Sequence, residues 1–304
     1  MPRRRRSPTR KGKSLYPFAG IGFIALLILS FFLGRTTGVP KPPVRAGTPA
    51  VIRPVPAPPP PKPVALPSVP AFSFPRGKGK IAIVLDDWGY TMKQVPALAS
   101  IRRPMTLAVL PGLDHSADVA RAARANGHEV ILHMPMEAVD PKAPRESSTL
   151  LVGMPRRQVI ENLDRSLSTV PSARGISNHQ GSKATADPLL MEVVLKETKR
   201  RGLYFLDSYV SNRSVCAEVA GRFRIPFAQR AVFLDNEQSA PAIQERLGDL
   251  ALAASKHGQA IGIGHDRPVM LAVLQKAVPA LEKAGYTLVP VSELTEVPDS
   301  RSGN

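Results

Sequence analysis

Cysteine is nearly absent, with Cys216 alone in 304 residues. An internal disulfide and any centre built from several thiolates are therefore excluded. Aromatic residues make up only 5% of the chain, and Trp88 is its one tryptophan. Acidic residues are missing altogether from residues 1–80, which hold 15 of the 41 Lys and Arg. The remaining 26 basic residues face 24 acidic ones in residues 81–304, a net of +2 within a chain total of +17. A basic total of that size normally points to nucleic acid. Its confinement to the leader removes that reading, and no nucleic-acid partner is expected.

The leader has an order of its own. Leu15 to Leu33 is a run of 19 uncharged residues with no polar stripe. As a helix it spans roughly 28 Å, close to a bilayer core. It exceeds the apolar region of a signal peptide, about 7–15 residues, and no small-x-small cleavage site follows it. The expectation is one uncleaved membrane anchor over residues 15–34. Seven basic residues within the first 13 make residues 1–14 a cytoplasmic tail, because positive charge stays inside. The rest is then exported, as in a single-pass protein of the bacterial inner membrane with a periplasmic domain. Residues 35–78 contain 14 of the 32 prolines. Proline lacks a donor and fixes φ, so this stretch reads as an extended, disordered spacer. A globular domain over 79–297 and a disordered tail over 298–304 complete the division.

From Lys80 apolar runs of strand length alternate with amphipathic stretches at 114–126, 155–169, 187–201, 239–256 and 267–284. Continuous apolar strands between helices imply a parallel sheet covered on both faces. Seven or eight such units suggest a closed or distorted (β/α) barrel, with an open doubly wound sheet as the alternative. Most runs stop at a residue able to bind a metal or move a proton: Asp86 and Asp87, His133, His179, Asp207, Asp235, His265. In parallel α/β folds such strand ends converge on one face.

Three histidines and several carboxylates without cysteine favour zinc or a similar divalent ion. Asp87, His133 and His179 would form a two-histidine, one-carboxylate set. Glu137 can be a further ligand, a partner of His133, or a solvated loop residue. His265 is the natural general acid, oriented by Asp207 or Asp235. Arg230 can pair with Asp86 or Asp235. Trp88 can supply a sugar-stacking wall or simple packing. Asn178, beside His179, is a candidate substrate contact.

The segments IVLDDWG, HMPME, SNHQGS, FLDS and IGIGH together resemble the divergent polysaccharide deacetylases, over about residues 79–295. The resemblance implies a distorted (β/α)7 barrel. It also implies a metal-dependent hydrolase that removes acetyl groups from an envelope glycan such as peptidoglycan. By the same resemblance Asp86 is the catalytic base, Asp87 and His133 bind metal, and His265 is the acid. The second histidine of the family's His-x-x-x-His pair is replaced here by Glu137, so His179 or Glu137 takes that place, with His179 favoured. That replacement also leaves open a glycan-binding or envelope-scaffolding module without turnover.

Overall fold

The computed structural model describes residues 72–299. The expected cytoplasmic tail and anchor, nearly all of the spacer and most of the short tail lie outside them. Among the described residues no helix is long and apolar enough to cross a membrane.

Nine strands form one parallel sheet: β1 (Gly79–Trp88), β2 (Thr106–Val109), β3 (Glu129–Met136), β4 (Gly175–Gln180), β5 (Tyr204–Asp207), β6 (Phe227–Gln229), β7 (Val232–Phe233), β8 (Gln259–His265) and β9 (Tyr286–Leu288). The order across the sheet is β6-β5-β4-β3-β2-β1-β8-β7, and β9 pairs with the first residues of β1. Among the described residues seven helices accompany them: α1 (Val95–Ala99), α2 (Ser116–Ala125), α3 (Arg156–Thr169), α4 (Pro188–Arg200), α5 (Cys216–Phe223), α6 (Ala240–His257) and α7 (Pro268–Ala284). The longer helices fall where periodicity puts them. Their ends follow local chemistry. The Asp187 carboxylate accepts the Leu190 N–H at 2.7 Å ahead of α4, and the Ser239 hydroxyl accepts the Ala242 N–H at 3.3 Å ahead of α6. Pro188 and Pro268 open α4 and α7, where a missing N–H costs nothing.

The sheet curls without closing through hydrogen bonds. The apolar run Ala231–Leu234, expected as one strand, yields only the two residues of β7 beside β8. Phe227–Gln229, which the periodicity passes over, forms β6 at the opposite edge. Arg230 and Ala231 carry the chain from one edge to the other. The fold is thus a curled, partly open parallel barrel of α/β type.

Side-chain alternation sorts the core into two clusters. Ile81, Ile83 and Leu85 face the helices, with Leu107, Leu132 and Phe205. Ala82 and Val84 face inward, with Ala108, Ile131, Leu206 and Ile263. Residues 289–294 fill the lower end of the interior with Val289, Val291 and Leu294. One step beyond these inward apolar residues the lining becomes Asp86, His133 and His265.

The chain reaches β1 at the opposite pole. The Gly77 N–H donates to the Ala284 carbonyl at 3.0 Å. Phe72 and Phe74, stacked at 6.2 Å, lie against the end of α7. Gly79 has φ +146°, and a Cβ there would sit 2.5 Å from the Ala254 carbonyl oxygen. Gly79→Ala is expected to cost roughly 2 kcal/mol through strain and overpacking. A thermal melt should fall by about 4–8 °C for a domain of this size; an unchanged melting temperature would contradict the close approach.

Candidate metal centre and active site

The site is made by one irregularity in β1. Leu85 pairs with Leu107 and Trp88 with Val109, so β1 holds one residue more than β2 across this interval. A bulge of this kind re-aims side chains. Asp87 sits in it at φ +68°, a left-handed conformation that aspartate tolerates better than most residues. Adjacent strand residues normally point to opposite faces. Here Asp86 and Asp87 both turn to the inner rim.

Three other strands, β3, β4 and β8, supply the imidazoles. His133 Nε2 lies 3.4 Å from Asp87 Oδ1 and 3.5 Å from Asp86 Oδ2. His179 Nδ1 lies 3.1 Å from Asp87 Oδ1. The two rings meet edge to face with centroids 5.0 Å apart. His265 Nε2 lies 3.7 Å from Asp87 Oδ2. Asp87, His133 and His179 thus offer one ligand atom each, all within 4.8 Å of one another. Neither imidazole contact with Asp87 Oδ1 is aligned as a hydrogen bond, and that buried oxygen has no hydrogen-bond partner. Bonds of about 2.0–2.1 Å at the tetrahedral angle put ligand atoms roughly 3.3 Å apart. The separations and the orphaned oxygen therefore fit a divalent ion with N and O donors.

Each ring is held from behind. The Ser177 hydroxyl lies 2.8 Å from His133 Nδ1, which leaves Nε2 for the site. Glu146 Oε1 lies 3.6 Å from His179 Nε2. Asp235 holds His265 twice: Oδ1 lies 3.0 Å from the ring Nδ1, and Oδ2 accepts the backbone N–H at 3.0 Å. Ser177 is one turn of the pleat before His179, so period-2 alternation placed both on one face. Glu146 carries no such signal.

The electrostatics separate the acids from each other. Burial raises the Asp86 carboxyl, against the pull of His133 and with a push from Asp87. Burial works the same way on Asp87, but His133 and His179 outweigh it and hold that carboxyl far below the usual range. Burial depresses His265, yet Asp235, Asp87 and Asp86 overcome it and raise the imidazole. Asp266, which the sequence reading left unassigned, is pushed up to about 6 by burial and the Asp87 charge.

Five expected site residues are engaged elsewhere. The Asp207 carboxylate accepts the Ser214 hydroxyl at 2.6 Å and the Tyr209 N–H at 2.8 Å; it follows inward-facing Leu206 and points outward. Asp235 is thus the partner of His265. Trp88 is fully buried in the helix-facing core and forms no sugar wall. Asn178 is buried too, and its Oδ1 accepts the Ser208 N–H at 2.9 Å. It ties β4 to the end of β5 and offers nothing to a substrate. Arg230 donates to the Ser208 and Tyr209 carbonyls at 2.6 and 2.7 Å and stacks over Phe233, so it forms no ion pair with Asp86 or Asp235. Glu137 fits none of its three expected roles. It accepts Lys183 Nζ and the Val152 N–H, both at 2.8 Å, and so pins two rim loops together.

The sequence profile described as divergent polysaccharide deacetylase matches residues 83–295, and the chain belongs to that family. It is 34% identical over 228 residues to YibQ of Escherichia coli strain K12, covering 75% of this chain and 71% of that protein. It is also 34% identical over 203 residues to a protein of Haemophilus influenzae strain Rd, covering 67% of this chain and 72% of that one. A crystal structure of a protein from Agrobacterium tumefaciens C58 superimposes with a TM-score of 0.69 at 28% identity, over 74% of this chain and 92% of that one.

The raised His265 gives a test with a defined sign. A raised pKa stabilises the fold below the unfolded histidine value, and that contribution is lost as pH rises through the folded value. Asp235→Asn removes the first of the raising interactions. An NMR titration should show the His265 pKa moving down, and the melting temperature should lose part of its decline across that pH window. A variant with an unmoved His265 titration would contradict the pairing.

Proposed function

We propose that this protein is a metal-dependent deacetylase acting on N- or O-acetyl groups of an envelope glycan. The observation that carries the reading is the convergence of Asp86, Asp87, His133, His179 and His265 on one rim. A divalent ion, zinc by its donor set, would be held by Asp87 Oδ1, His133 Nε2 and His179 Nδ1, and would supply Lewis acidity toward the acetyl carbonyl. Asp86 stands 3.5 Å from His133 Nε2, and its raised carboxyl suits it to take the proton of the attacking water. His265, whose affinity for a proton Asp235 raises, gives a proton to the departing nitrogen or oxygen. Water adds to the acetyl carbon, the C–N or C–O bond breaks, and acetate and the free amine or hydroxyl result. Glu137 does not leave the ligand set short, because His179 completes it. That weakens the reading of a silent glycan-binding module.

The leader supports an anchored form of the same enzyme. Residues 15–34 hold the chain in the inner membrane with its N-terminus inside, and the proline-rich spacer carries a periplasmic domain toward a polymer.

Metal analysis and acetate release by the full chain test this reading. His133→Ala and His179→Ala should each lose the bound ion. Asp86→Asn should keep it and lose at least about 100-fold in rate, the size of a missing general base. Full metal occupancy in both histidine variants would sink the ligand assignment. In a separate assay, acetate release is expected from acetylated chitooligosaccharides or peptidoglycan fragments. Its absence with the ion bound, across such a panel, would overturn the deacetylase reading.

A further inference from the structure

We infer that a cleft beside the metal centre is a subsite for a sugar unit bearing a carboxylate, read by Arg165. The inference rests on the glycan reading above and narrows its substrate class. The cleft encloses about 410 Å³ between the exit of β2 at Gly112 and Leu113, the loop at Ser147 and Ser148, and the last turns of α3. That volume lies within the usual range for small-ligand sites, about 300–1,000 Å³.

Glu146 joins the two places. It lines the cleft, and its Oε1 lies 3.6 Å from His179 Nε2. A polymer with one acetyl group at the metal centre would therefore bring a neighbouring unit to the cleft. Two polar side chains line it, Ser166 buried and Arg165 exposed. Ser166 is 2% exposed, lines the cleft, and its buried hydroxyl has no hydrogen-bond partner. Arg165 donates to Asn162 Oδ1 at 2.5 Å, and among the described residues its guanidinium makes no ion pair. The carboxylate it shares the cleft with is engaged elsewhere. Glu146 faces His179 through Oε1 and accepts the Thr149 hydroxyl at 3.5 Å through Oε2.

The guanidinium of Arg165 sets which sugar unit can carry a charge. A carboxylate on the neighbouring sugar meets a planar guanidinium able to take it bidentately. A neutral neighbour gains nothing from Arg165. The subsite thus favours a chain in which anionic units flank the acetylated one.

Calorimetric titration of the full chain with two disaccharides tests the inference. One is N,N′-diacetylchitobiose, which is neutral. The other is N-acetylglucosaminyl-N-acetylmuramic acid, which has the same two rings and one carboxylate. Wild type should bind the acidic disaccharide about tenfold more tightly, the scale of one charged hydrogen-bond pair. Arg165→Ala should erase the difference, and Arg165→Lys should restore part of it. Melting curves check that both variants fold. Equal affinities in wild type, a preference that survives Arg165→Ala, or no binding of either disaccharide would each overturn the subsite. Acetate release is read separately. A preference without release overturns the deacetylase reading and leaves the subsite standing; release without a preference does the reverse.

Discussion

Strand alternation allows one residue in two to face the interior of a curled sheet, so no regular strand can present adjacent carboxylates to the same point. The extra residue in β1 breaks that rule once, at Asp86 and Asp87. Everything at the rim depends on the break. With it, Asp87 swings to within reach of three imidazoles from β3, β4 and β8, while Asp86 keeps its inward place beside His133. The same shift in parity sends Trp88 outward into the helix-facing core. An aspartate in a left-handed conformation is the local cost. The strand tolerates it because β2 and β8 hold β1 from both sides.

The acids of the site are distinguished by surroundings. Asp86 and Asp87 are consecutive in the chain, yet burial dominates one and imidazoles dominate the other. The two-histidine face lowers the carboxyl that would hold an ion. The raised partner is left as the group with affinity for a proton. His265 belongs to the same scheme from the opposite side, since Asp235 occupies its rear nitrogen and fixes which nitrogen looks inward.

Much of this was legible before any coordinates. Apolar runs ending in His or Asp named most of the strands and the rim. What was not legible turned on parity. FLDS and FLDN read alike, each an apolar run closed by an aspartate. Leu206 faces inward, so Asp207 faces out; Leu234 faces the helices, so Asp235 faces in. The difference depends on how each strand is set in the sheet, which local composition does not carry. Glu137 was unreadable for another reason. Its partner Lys183 is 46 residues away, and only the packing of two rim loops brings them together. β6, which lies outside the expected run Ala231–Leu234, likewise shows only in how the chain passes from one end of the sheet to the other.

The strap of residues 72–78 has a mechanical consequence. It crosses the pole opposite the rim and leads straight into β1 (Gly79–Trp88), along which Asp87 lies about 26 Å from Gly79 at the usual strand rise. Any tension arriving from the preceding chain runs along β1. That strand is hydrogen-bonded to β2, β8 and β9, so the load is resisted in shear by many bonds at once, without unzipping them one by one. The bulge with its reactive side chains lies at the far end of this load path. A pull on the N-terminal side is spent in the lower part of the sheet before it can disturb the spacing of the five rim residues that must stay within a few ångströms of one another.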